Sequence, residues 1–194
     1  MTVADNRNLL AGTGAAGADG LGLVWMAASG STAPTDATTA LAAAWKNMGG
    51  IAETGVTIHQ STSTTKLKFY GSPAVQRTLV TDQEYTIDVV FGELNARVAE
   101  AFYRKALNSI TPTAVTGAFS VTAGTYTRQL YAAVIDMVDG VNHVRHYCPQ
   151  VEVTSQGDLK IANSAALEFQ VTLSAYPDTS GNAIYSYYAL PSLG

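Results

Sequence analysis

The chain has 194 residues, which fits one domain of ordinary size with length to spare for arms or long loops. Hydrophobic residues reach 47% and supply a core, whereas charged residues stop at 13% where soluble domains carry about 25%, so much of the surface is expected to meet protein, a plain Thr/Ser-rich monomer surface being the alternative. A net charge of −4 excludes a basic groove that grips phosphate, the single Cys148 excludes an intrachain disulfide framework, and the absence of a long apolar run or a basic-then-apolar N-terminus leaves no expectation of membrane binding or of a secretory signal.

Residues 1–20, rich in Gly and Ala and without periodicity, are predicted to be a flexible arm. Residues 21–27 form a short apolar run of buried-strand type, 29–40 a polar loop, and 41–50, which carry Trp45, a short helical turn closed by Gly49 and Gly50. Residues 51–60 and 61–70 hold Thr, Val and Ile with few helix formers and are predicted strands; alternation over 66–70 places Leu67 and Phe69 inward. Gly71, Ser72 and Pro73 mark a turn, 75–81 a further strand, and 84–91 a strand with Tyr85, Ile87, Val89 and Phe91 on its core face.

One helix is predicted, at about 93–107, with Leu94, Val98, Ala101 and Phe102 as its apolar stripe, Glu93–Arg97 and Glu100–Arg104 as ion pairs four apart, and Pro112 beyond its end. Strands then return: 118–121, a turn at Ala123 and Gly124, and 126–138. Asp139-Gly140 is the strongest hairpin signal in the chain, followed by a strand over 141–147. Residues 151–156 and 167–173 alternate, with Gly157-Asp158 between them, and 183–194 form a Tyr-rich extended tail. Strands with a single helix predict a mainly β, α+β fold: an antiparallel sandwich or partial barrel with one flanking helix, spanning 21–177 between an arm at 1–20 and a tail at 178–194.

Signatures of chemistry are sparse. Gly12, Gly14 and Gly17 match the spacing of a dinucleotide fingerprint, but no strand precedes them and Asp19-Gly20 follows where a helix should begin. His143, His146 and Cys148 gather on one predicted strand, where alternation leaves only His146 and Cys148 on a shared face, too few for zinc unless another strand or subunit contributes a ligand. There is no nucleophile elbow, P-loop or calcium loop, so neither an enzyme nor a catalytic, metal or cofactor site is expected.

Three polar strand faces carry more information. Glu84, Thr86 and Asp88 form one; Glu152, Thr154 and Gln156 a second; Glu168, Gln170, Thr172 and Ser174 a third. None contains Lys or Arg. Side by side they would make an acidic-to-neutral, hydroxyl-rich wall that a DNA duplex could pass without sticking, the plainer reading being ordinary solvent-facing positions. A sheet with open edges must hide them, and joining neighbouring copies into a ring is one solution; the arm and the Tyr-rich tail would then supply contacts between stacked rings.

Residues 44–56, AWKNMGGIAETGV, resemble the region after the first strand in major tail proteins of long-tailed, non-contractile phages, especially those infecting actinobacteria. The Thr-rich strands, the 84–91 strand and the helix follow in that family's order, from about residue 21 to 177. The resemblance implies a β-sandwich subunit that forms hexameric rings stacked into a tube around a tape-measure protein. Tail terminator and tail tip proteins are the further partners, and double-stranded DNA passes without specific contact. It implies no active-site residues, and it places the protein in the virion after assembly in the host cytoplasm. A capsid decoration protein, an adhesive β-sandwich and the tube protein of a phage-like injection system remain as alternatives.

Overall fold

A computed structural model describes residue 10 and residues 23–163 and 166–191. The expected arm, apart from residue 10, and the glycines at 12–17 lie outside the described residues. The described residues form eight strands and one helix: β1 (Val24–Ala28), β2 (Lys46–Asn47), β3 (Ile51–Lys68), β4 (Val75–Phe91), α1 (Ala96–Phe102), β5 (Tyr131–Asp139), β6 (Asn142–Gln156), β7 (Phe169–Tyr176) and β8 (Tyr185–Ala189). They form one antiparallel sheet in the order β2-β1-β5-β6-β7-β4-β3, with β8 joined to β6 in line with β7.

The sheet folds back on itself around one core, giving the mainly β, sandwich-like architecture with a single flanking helix that the alternating pattern predicts. Val24 and Met26 of β1, Ile135 of β5 and Val151 of β6 meet Ile87, Val89 and Phe91 of β4 and Val171 and Leu173 of β7. Tyr85 packs at the margin, so the predicted core face of β4 holds. Helix α1 closes this core with Val98, Ala101 and Phe102; Phe102 meets Phe169 edge-on with ring centroids 5.2 Å apart. The other face of β1-β5-β6 is also covered. Trp45 lies there against Ala27, Val134 and Tyr147, and its indole N–H donates to the Thr32 carbonyl at 3.0 Å. Segment 29–44 is thus an outer layer, and the buried Arg145 pins it. Its guanidinium grips Asp136 at 2.7 and 2.9 Å and donates to the Asp36 and Thr39 carbonyls at 3.0 and 2.8 Å.

β6 is the strand around which the sheet turns. It pairs with β8 over His143–Tyr147 and with β7 over Gln150–Gln156. Pro149 falls between, where the pairing with β5 also slips, a place that a residue without an N–H can occupy without losing a ladder bond. The Asp139-Gly140 hairpin forms as predicted: Asp139 faces Asn142, and Gly140 takes φ 61° at the first loop position.

Several expectations change. Residues 41–50 hold a tight turn, not a helical one, and then the edge strand β2. The two strands expected over 51–60 and 61–70 are one, Ile51–Lys68, and those expected over 75–81 and 84–91 are one, Val75–Phe91, so β3 and β4 make a single long hairpin. At its end Leu67 and Phe69 are 45% and 72% exposed, not inward, because among the described residues no layer packs on either face there. The helix is shorter than predicted. Asn95 caps it, accepting from the N–H groups of Arg97 and Val98; Leu94 therefore stays outside at 48% exposure, and Arg104 leaves the helix at φ 53°. The realised ion pair is Arg97–Glu100 at 2.7 Å, whose buried carboxylate also takes the N–H groups of Asn108 and Ile110. Finally, 118–121 is not a strand, and residues 185–189 of the expected tail belong to the sheet as β8.

Candidate functional site

Four neighbouring strands, β6-β7-β4-β3, present their non-core faces as one polar surface. Two cross-strand rows run through it. His59 faces Thr86, Thr86 faces Ser174, and Ser174 faces Glu152; beside it Thr57 faces Asp88, Asp88 faces Thr172, and Thr172 faces Ser155. Side chains tie the rows together. The Thr172 hydroxyl donates to Asp88 Oδ1 at 2.6 Å, His59 Nε2 lies 3.0 Å from Asp88 Oδ2, and the Thr154 and Ser174 hydroxyls are 3.0 Å apart. Asp88 thereby links three strands.

The residues singled out by sequence pattern distribute unevenly. Thr86, Asp88, Thr154 and Thr172 lie on this face, Glu84 at its hairpin end, and Gln170 exposed beside Val90. Glu168 is exposed just before β7 begins. Glu152 shares the face but is buried under residues 126–128: the Tyr126 hydroxyl donates to one carboxylate oxygen and Arg128 Nε to the other at 3.1 Å. Burial would raise the Glu152 carboxyl, but the hydrogen bonds from Tyr126 and Arg128 and the guanidinium charge outweigh it and hold the group below its ordinary value. Gln156 does not belong to the face. A register slip between Val153 and Ser155 sets it opposite Val171 of the core side, where its amide donates to the Phe102 carbonyl at the end of α1. Gly157 follows because a Cβ there would sit 2.7 Å from the Gln170 side chain.

Pattern reading missed the contribution of β3. Thr57, His59 and Ser61 extend the surface by one strand, and the alternation of Val56 and Ile58 with Thr57 and His59 already carried that signal. No local signal marks Tyr126 and Arg128, which come from the connection between α1 and β5.

An open cleft of about 630 Å³ lies where β7 ends, bordered by Asp82, Glu84, Thr86, Thr172 and Tyr176. Among the described residues no three His, Cys, Asp or Glu side chains converge on a point that would hold a metal ion. His146 pairs with the Ser186 hydroxyl at 2.8 Å, and burial pushes the Cys148 thiol up to about 12, far from a reactive thiolate.

A family model described as phage tail tube protein matches residues 3–190. The chain belongs to the phage tail tube protein family. A tail tube protein is a structural component of the virion and works as one of many subunits in an assembled tail. No curated protein matches this tail tube chain. Among solved structures it is similar to a chain of the six-fold symmetrised cryo-electron-microscopy structure of the anti-feeding prophage baseplate, with a TM-score of 0.45 and 10% identity over 84% of this chain and 89% of that one.

Proposed function

We propose that this chain polymerises, as hexameric rings stacked on one another, into the tube of a long non-contractile phage tail, with the β6-β7-β4-β3 face turned to the channel through which DNA passes. The observation that carries this reading is the contrast between the two outer faces of the folded sheet. One half is clad by its own segment 29–44 and fixed by Arg145. The other half is open, polar and cross-linked by hydroxyl and carboxylate groups, and its outermost strand, β3, pairs among the described residues only with β4. A sheet edge in that state recruits a neighbour, and repetition by rotation closes a ring.

The face suits a passage for DNA because it offers no cationic grip. Where the four strands run side by side, the guanidinium of Arg128 is spent on Glu152 and the His59 ring lies on Asp88; around them stand Thr, Ser, Gln and the acid Glu84. Carboxylates and hydroxyls keep phosphate hydrated and mobile. A tape-measure protein would fill the channel before DNA, and terminator and tip proteins would close its ends. Cryo-electron microscopy of the concentrated purified chain tests the proposal. Hollow tubes with Thr86, Asp88 and Thr172 on the inner wall support it; a chain that stays monomeric, or tubes with these residues outside, would refute it.

A further inference from the structure

The four-stranded polar face has two lateral edges, and they are finished differently. Among the described residues β3 ends one side with no further strand beside it. On the other side β5 accompanies β6 only as far as Tyr131 opposite Val151, so Glu152–Gln156 has β7 as its one strand partner there. β6 also bulges at this point: Val153 faces Leu173, Ser155 faces Thr172, and Thr154 between them has no partner in β7. An edge in this state invites a further strand. A side chain stands there instead. Arg104 Nε donates to the Val153 carbonyl at 2.9 Å, and its Nη2 donates to the Thr154 carbonyl at 3.3 Å.

The turn that carries this guanidinium is built around it. Arg104 takes φ 53°, a left-handed conformation uncommon for a residue with a side chain, directly after the helix cap Tyr103. The turn beyond it is tied down from both sides. The buried Glu100 carboxylate accepts from the Asn108 and Ile110 N–H groups at 2.9 and 2.6 Å, and the Tyr131 hydroxyl donates to the Lys105 carbonyl at 2.6 Å. Backbone strain held by this many bonds points to a task for the side chain that it aims. The guanidinium also lies over the Tyr126 ring, 5.1 Å from its centroid. Beside it a cleft of about 530 Å³ opens between the end of α1 and residues 123–127, bordered by Tyr103, Arg104, Lys105 and Gln129. Arg104 therefore has a second place to go.

We propose that Arg104 is a removable guard on the Glu152–Gln156 edge: in the free chain its guanidinium occupies the Val153 and Thr154 carbonyls, and a second copy joins when that side chain swings into the neighbouring cleft and yields the edge to β3 of the newcomer. The proposal rests on the tube reading above and adds what holds the joining back. β3 is the occupant because it is the other lateral edge of the same polar face, so rotation about a ring axis brings it to this edge with the polar side continuous. Two side-chain hydrogen bonds are exchanged for backbone ones of similar strength, so the guard sets a threshold for joining and is not a permanent block. Until then it keeps the edge from pairing with any passing strand. Arg128 stays on Glu152 throughout, because that pair lies on the polar face and not along the edge.

Arg104→Gly tests the guard, since glycine removes the guanidinium and also relieves the left-handed strain at that position. The variant should form tubes at a concentration about tenfold below that of the unaltered chain, with a melting temperature close to the original. Arg104→Lys, which keeps the charge without the two-point grip, should fall between the two. A threshold unchanged or raised by Arg104→Gly would overturn the guard while leaving the tube reading standing. Cryo-electron microscopy of tubes of the unaltered chain gives a check that depends on no variant. The Arg104 side chain should lie in the cleft, with a neighbouring β3 along Val153–Gln156; a guanidinium still on the two carbonyls inside a formed tube would overturn the guard. If neither the unaltered chain nor Arg104→Gly forms tubes at any concentration, both readings fall.

Discussion

Arg145 shows how one side chain can hold a layer. It sits opposite Asp136 in the β5–β6 ladder, almost without solvent, and its remaining donors reach two carbonyls of segment 29–44. That segment has no strand of its own to dock with, so the guanidinium and Trp45 are its main attachments. Asp36 secures the local turn, where hydrogen bonds from Thr39 and Thr38 hold its carboxyl well below the usual carboxylate range. Replacing Arg145 by Ala strands the Asp136 carboxylate and two carbonyl groups in a nearly dry site. The expected cost is about 3–5 kcal/mol, with proteolytic cleavage appearing first within 29–44. Unchanged chemical denaturation and an uncleaved segment would show that Trp45 suffices. Arg145 was invisible to pattern reading, because nothing local distinguishes it from any other strand arginine.

At the scale of elements, alternation and turn residues carried most of the information. The core face of β4, the Asp139-Gly140 hairpin and the alternation of β7 all follow from local sequence, since a half-buried strand must alternate and a tight loop needs a residue tolerant of positive φ. The helix was the weakest reading. Its predicted span, 93–107, extends past both ends of the real element, but Asn95 accepts from two N–H groups and donates to the Met48 carbonyl at 3.1 Å, which fixes the start by a contact that lies 47 residues away in sequence. Asn95→Ala should cost about 1–2 kcal/mol, read from the urea midpoint, and free the Met48–Gly50 corner. An unchanged midpoint would assign the helix start to packing alone. The exposed end of β3 failed for the opposite reason. Leu67 and Phe69 alternate as core residues do, and only the absence of any layer around the hairpin decides that they stay outside.

The whole molecule is asymmetric in two directions. Across the sheet, one outer face is covered by segment 29–44 and the other is polar and open; along the strands, the β3–β4 hairpin runs on beyond β7 at one end only. Both asymmetries suit a subunit that has an inside, an outside, a top and a bottom. For the open face, Glu84→Lys combined with Gln170→Lys should leave assembly intact, since both side chains are exposed and lack salt bridges among the described residues. Tubes of this variant should retain short DNA duplexes at low salt and release them as salt rises, whereas unaltered tubes retain none. Equal passage through both would remove this face from the channel wall. Glu152→Lys is a different case: it would set a cation against Arg128 under Tyr126, and should destabilise the fold before it alters any passage.

The amino-acid sequence alone determined the class of the protein: a β-rich domain poor in charge, without catalytic signatures, whose strands set polar residues against apolar ones. These properties are written in composition and in a period of two, and neither depends on distant contacts. The tertiary structure decided which strands are neighbours, and therefore that the polar residues of β6, β7, β4 and β3 share one surface. It also turned Gln156 away through a register slip, placed Arg128 on Glu152, and let one hairpin run beyond the domain. Each of those outcomes depends on strand order and on where a neighbouring strand stops, quantities fixed by packing among residues far apart in the chain.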